Sequence, residues 1–262
     1  MDDVITAAKN PSKYMHGIDM HFKVSDITDS PNYYLGNELV QVGNHIHVSS
    51  KKYVNEILRK YQKTHGDLKK EVLHMRVKEN PELDDSPLLN EKYHKDFQQI
   101  IGVCKWLMVV VRFDLSYAVS SLSRFQSAPQ VGHIDMYRII FGYLKKYPKR
   151  GYEINPQPLN IDAYYEKVNM KYDIGNDHEY FSEDIYDQFT EPLLDEFDIH
   201  VFVDANHGHK KVTGISITVF FSVVGPTPTT LSSKQNTSVQ TLTFGTKFTV
   251  MNKAADESVM LH

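Results

Sequence analysis

Two pairs of histidines stand at alternate positions, His45 and His47 in "HIH" and His207 and His209 in "HGH". Alternating imidazoles can ligate a metal, but neither pair has a third and fourth ligand at suitable spacing, so surface positions on a strand or turn are expected. Asp2 and Asp3 set two carboxylates side by side, which on residue type alone is an acidic start to a chain. Lys51, Lys52, Arg59, Lys60 and Lys63 form a basic face on a helical pattern, the arrangement that follows a phosphate backbone, with Tyr53 and Tyr61 placed to interleave. The plain alternative is a solvated helix face. Cys104 lies on an apolar stripe, which marks a buried structural thiol rather than a nucleophile.

The elements that position these residues are legible from periodicity. "MDDVITAAKN" reads as a short strand or turn, and "YYLGNELVQVGNHIHVS" as a hairpin turning at Gly43-Asn44. Ser49 or Ser50 is placed to cap a helix in which Tyr53, Val54, Ile57, Leu58 and Tyr61 recur until Gly66. Residues 68–90 read as a loop. From Tyr93 to Pro148 the period is helical throughout. Phe97, Ile100, Ile101, Cys104, Leu107, Met108 and Val111 make one stripe, "DLSYAVSSLSRFQSAP" a second helix ended by Pro129, and "GHIDMYRIIFGYLKKYP" a third with Lys145 and Lys146 at the negative end of its dipole. "DIHVFVDAN", "GISITVFFSVV" and "TTLSSKQ" then read as strands, followed by the helix "TFGTKFTVMNKAADESVMLH".

Composition bounds the classes. With 262 residues and 41% hydrophobic side chains the chain can bury a core, and one cysteine cannot form an internal disulfide. No apolar run reaches the roughly 18 residues of a membrane span, and the N-terminus has no signal pattern, so an intracellular, cytoplasmic or nuclear protein without a membrane partner is expected. A net charge of −4 disfavours a protein-wide field for nucleic acid. Residues 162–198 are acidic, with Lys167 and Lys171 as their only Lys or Arg, so partners must be argued locally.

Several motifs together carry a resemblance to the C-terminal part of copia-type LTR retrotransposon Pol polyproteins. "YYLGNEL" resembles the family's Y-[YF]-L-G-x-E, "HVSSKKYVNEILRKY" its S-Q-x-x-Y-x-x-x-[IL]-L, and the stretch from "IIGVCKWLM" to "YLK" its long helical signature. "FVDANHGHKKVTGISITVFF", "SSKQ" and "SVQTLTFGTKF" resemble its RNase H module. The order and spacing hold over most of the chain outside residues 66–90 and 155–197.

The resemblance implies an α+β chain in four parts. Residues 1–66 would be the end of a reverse-transcriptase palm, a primer-grip-like hairpin and a basic thumb-like helix. Residues 91–150 would be a helical connection region, 155–197 an acidic linker or insertion, and 198–262 an incomplete RNase H-like module. "MDDVIT" is similar to the family's Y-x-D-D turn, which makes Asp2 and Asp3 remnant polymerase ligands for Mg²⁺ whose upstream partner aspartate is missing. Asp204 matches the first RNase H carboxylate. The second, a Glu in [AS]-E-[YF], is matched by Lys247, and the third would lie beyond His262.

Mg²⁺ prefers converging hard oxygen ligands, and an ammonium at a ligand position repels the dication. Asp2, Asp3 and Asp204 are therefore read as ancestral Mg²⁺ ligands without a competent site. Asp256 and Glu257 lie nine or ten residues along the helix from Lys247, about 14 Å of rise, too far to substitute. Two further departures concern packing: Leu231 replaces the family tryptophan before "SSK", and "RFD" at Arg112–Asp114 replaces R-P-D.

The expected function is that of a retrotransposon-derived fragment, ancestrally a reverse transcriptase and RNase H. Alone it would be catalytically inactive and at most bind an RNA–DNA hybrid or single-stranded nucleic acid through Lys51, Lys52, Arg59, Lys60 and Lys63. The alternatives are a subunit that completes a polymerase or ribonuclease site with another polypeptide, and an exapted protein-interaction module. An open sheet edge in 198–262 is expected to promote association.

Overall fold

The computed structural model describes residues 11–22, 30–65, 72–75, 80–159, 199–208, 213–236 and 242–259, with a few isolated positions besides. The molecule is an α+β protein with two small antiparallel sheets, one of four strands and one of three. The expected segments at Asp2-Asp3 and across most of the acidic 155–197 stretch lie outside the described residues, as does His209.

A helix that periodicity did not predict, α1 (Pro11–His21), buries none of its residues. The first sheet follows, with β1 (Tyr33–Tyr34), β2 (Asn37–Val42) and β3 (His45–Ser49). The hairpin turns where expected, with Gly43 at φ +62°, the left-handed conformation that a tight two-residue turn requires. β4 (Gly151–Ile154) arrives from the far end of the helical region and pairs with β3, Ser49 opposite Gly151. Gly151 is required by close approach, since a Cβ there would collide with the Val48 carbonyl.

Among the described residues four helices run between β3 and β4: α2 (Lys51–His65), α3 (Glu91–Val110), α4 (Ser116–Ser123) and α5 (Val131–Lys146). Their apolar stripes meet in one core. Val54, Leu58 and Tyr61 of α2 pack with Phe97, Ile101, Cys104 and Leu107 of α3, Val119 and Leu122 of α4, and Met136, Ile140, Phe141 and Leu144 of α5. Each buried Leu, Ile or Phe contributes roughly 1.5–3 kcal/mol by leaving water, so this cluster is the main apolar contribution to the fold. Asn90 caps α3 by accepting from the Tyr93 N–H at 3.0 Å.

α4 is shorter than its sequence predicts, ending at Ser123 rather than near Pro129. The Ser123 hydroxyl and the Arg124 Nε donate to the carbonyls of Ser120 and Ser121, and the chain continues in i→i+3 turns at Phe125 and Ala128. Side-chain donors thus take carbonyls that further helical N–H groups would need. Residues 80–90 also carry more order than a loop. A 3₁₀ turn at Pro81–Leu83 leads to Ser86 and Pro87, which bind the start of α5 through the Gly132 and Val131 N–H groups.

The second sheet is β5 (Ile199–Asn206), β6 (Ile217–Val224) and β7 (Thr227–Gln235), in that spatial order, followed by α6 (Thr243–Val259). β7 is longer than "TTLSSKQ". Val250 and Ala254 of α6 pack on Phe220, Val201 and Ala205, covering one face. β7 joins the two halves: the Leu231 carbonyl accepts from Ser116 Oγ at 3.5 Å, Gln235 Oε1 from Arg124 Nη1 at 3.4 Å, and Thr227 Oγ1 from the Asn155 N–H at 2.9 Å.

Candidate functional site

Two places hold the residues that could act on a phosphodiester: the outer face of α2, and the junction between the end of β5 and the first turn of α6.

On α2 the inward side is fixed by Val54, Leu58 and Tyr61. Helical spacing then sends Lys52, Glu56, Arg59 and Lys63 outward along one line, with Lys60 beside it; these five are exposed and Lys51 is half-buried. The line from Lys52 to Lys63 is roughly 16 Å long. Lys52 Nζ lies 5.5 Å from the Tyr33 ring centroid. The tyrosines do not interleave with this face as the sequence predicts. Tyr61 is 6% exposed and packs against Tyr137 and Phe141, because the i, i+4, i+7 spacing of Val54, Leu58 and Tyr61 puts it in the core. Tyr53 is set edge-on to Trp106, with ring centroids 4.5 Å apart. Ser50 precedes the helix, but its hydroxyl donates to Asn37 Oδ1 and so ties α2 to β2.

Beside Lys60 an open groove of about 100 Å³ runs between α2, α3 and α5, lined by Ile57, Ile100, Val103 and Phe141 with Asp96 and Gln99.

At the second place, His207 follows β5 and its Nδ1 lies 3.0 Å from Thr246 Oγ1. Thr246 Oγ1 is in turn 3.3 Å from Ser216 Oγ, which accepts from the Gly208 N–H at 3.1 Å. This polar cluster ties the end of β5 to the first turn of α6, so Asp204 and Lys247 each lie within three residues of one junction. Both are exposed. Val201 and Ala205 face α6, and strand alternation turns Asp204 to the other face. Among the described residues no group of three or more His, Cys, Asp or Glu side chains is placed to hold a metal ion. A single carboxylate turned to the face away from α6 does not fit Mg²⁺, which takes several converging oxygens.

His45 and His47 are occupied otherwise. His45 Nδ1 lies 3.7 Å from Glu153 Oε2, and His47 Nε2 lies 3.2 Å from the Lys149 carbonyl, both along the β3–β4 edge. Cys104 is fully buried, and burial pushes its thiol up to about 12.

A feature that motif reading reduced to a packing detail is the buried arginine of "RFD". Arg112 is wholly shielded and makes two 2.9 Å bonds to Asp114, while its Nη1 donates to the Tyr147 carbonyl. Tyr143 Oη donates to the same Asp114, and Arg150 stacks over Tyr147. Its signal in the sequence is an Arg two residues before an Asp at a helix end, which by itself does not tell buried from exposed.

The fold and both places now stand beside known proteins. The chain is similar to the Retrovirus-related Pol polyprotein from transposon RE1 of Arabidopsis thaliana, with 26% identity over 168 residues, 63% of this chain. This is a distant, partial homology to a retrotransposon Pol polyprotein. The chain spans only 11% of that relative's length. No family model and no solved structure matches the chain. Among the described residues no helix is long and apolar enough to cross a membrane.

Proposed function

We propose that this chain is a copia-type Pol-derived segment, joining the end of a reverse transcriptase to the start of an RNase H module. In this reading it has lost metal-dependent phosphodiester chemistry and binds nucleic acid through α2. The observation that carries the reading is the pairing of an ordered scaffold with a spoiled donor set. Three antiparallel strands and a helix follow in the order an RNase H module opens with, yet the helix presents Lys247 where the resemblance requires a carboxylate. An ammonium there opposes the dication on which two-metal hydrolysis depends.

What remains is electrostatic. Lys52, Arg59, Lys60 and Lys63 are held on one face by the burial of Val54, Leu58 and Tyr61, so their backbone positions are set before contact. Residues 1–66 contribute this face, 91–150 the core that holds it, and 198–262 the former cleavage module. The expected ligand is an RNA–DNA hybrid or a single strand, contacted through its phosphates without sequence preference.

The test is fluorescence anisotropy with a labelled hybrid as salt is raised. Three to four phosphate contacts give a slope of log K against log salt of about −3, a loss of roughly fifty-fold between 50 and 200 mM. Reversing Lys52, Arg59 and Lys63 to Glu should flatten that slope by about one unit per cation removed. A slope unchanged by the triple reversal would remove α2 from the reading.

A further inference from the structure

α6 has two apolar faces and uses one. Val250 and Ala254 pack on the sheet, while Phe244, Phe248 and Met251, spaced i, i+4, i+7, are 76%, 55% and 57% exposed. The flank of Gly245, Thr249 and Lys253 is half-buried, so the exposed stripe is the flank turned from the rest of the sheet, over β5. Among the described residues β5 pairs with β6 alone, which leaves its outer edge without a strand. Phe202 and Val203 on that edge are 49% and 39% exposed. An open, apolar edge of eight residues is a template for pairing.

The residues on this edge are self-complementary. We propose that two copies of the chain pair β5 with β5, antiparallel about Phe202, in a two-fold dimer. In this register His200 faces the partner's Asp204 and Asp204 faces the partner's His200, with the two Phe202 rings between them and Val201 opposite the partner's Val203. Strand alternation keeps the His–Phe–Asp set on one face. The pairing brings a carboxylate alongside the His200 ring. The neighbouring symmetric registers lack this match. Centring on Val203 sets Phe202 against Asp204, and centring on Val201 sets His200 against Phe202.

Helix spacing agrees with the same dyad. α6 lies over β5 and β6, strands about 4.8 Å apart, so its axis stands about 5 Å from the dyad and two copies lie about 10 Å apart. That is the distance at which helices pack, and the surfaces brought together are the Phe244, Phe248 and Met251 stripes. The result is a closed, six-stranded sheet with a helix pair on one face, independent of the nucleic-acid reading of α2.

Sedimentation equilibrium of the full chain over a range of concentrations tests the proposal, alongside His200→Asp, Asp204→His and the double exchange. A monomer–dimer equilibrium is expected. His200→Asp places like charges opposite each other twice, which should weaken dimerisation about tenfold. The double exchange restores the pairs and should return the constant to within about threefold of the original. Phe248→Lys should weaken the dimer with all strand residues intact. Far-UV circular dichroism of each variant shows that the subunit stays folded. A monomer at all concentrations, open-ended aggregation, or a dimer indifferent to His200→Asp would each overturn the proposal.

Discussion

At the scale of single residues, the strongest commitments are buried. Arg112 is a fully desolvated cation whose only full counter-charge within bonding distance among the described residues is Asp114, so Asp114→Asn leaves that cation buried with weaker partners. Removal of one member of such a pair costs about 3 kcal/mol or more, and the expected result is a matching fall in the urea midpoint. Arg112→Lys should fall similarly, because an ammonium cannot reproduce the fork to Asp114 and still reach the Tyr147 carbonyl. Cys104 makes a prediction in pH. Burial lifts its folded value from 9.0 to about 12, so the unfolded chain loses its proton first. Stability from this group is fully present below pH 9 and declines as pH rises toward 12, a slope that Cys104→Ala should reduce in alkaline urea titrations. Neither network nor thiol environment could be read in full from residue types. Cys104 announced its burial by its place on the α3 stripe, whereas the residue type of Arg112 did not tell buried from exposed, since burial of a charge depends on partners brought from α5.

At the scale of elements, the sequence was most legible where one period persisted. The α3 stripe, the Gly43 hairpin and the strand–strand–strand–helix order all follow from apolar spacing and one turn. It was least legible where side chains compete with the backbone, as at the end of α4, and where a short strand finds its partner about a hundred residues away. β4 is such a strand. Its pairing with β3 depends on Gly151, so Gly151→Ala should detach this edge and lower thermal stability. Hydrogen exchange would show early loss of protection in residues 151–154 and 45–49. The basic face of α2 was legible as a pattern, but the role of its tyrosines was not. Tyr61 sits at a helical position that serves the core, and only the packing of α5 against it shows this.

At the scale of the whole molecule, two sheets and a helical core are joined through β7, with the basic face of α2 and the open edge of β5 as separate surfaces. The sequence placed Asp204 on a strand and Lys247 on a helix. The resemblance already assigns both to one site, and the contact of His207 with Thr246 brings the end of β5 to the first turn of α6. Proposed loss of metal chemistry therefore rests on local substitution within an ordered scaffold, and the proposed binding rests on a face elsewhere. The most direct test of the central claim is cleavage of a labelled RNA–DNA hybrid by the full chain with Mg²⁺ or Mn²⁺, beside Asp204→Asn. The expected result is intact RNA with both proteins, together with salt-sensitive binding by both. RNA cleavage by the unmodified chain that disappears in Asp204→Asn would contradict it.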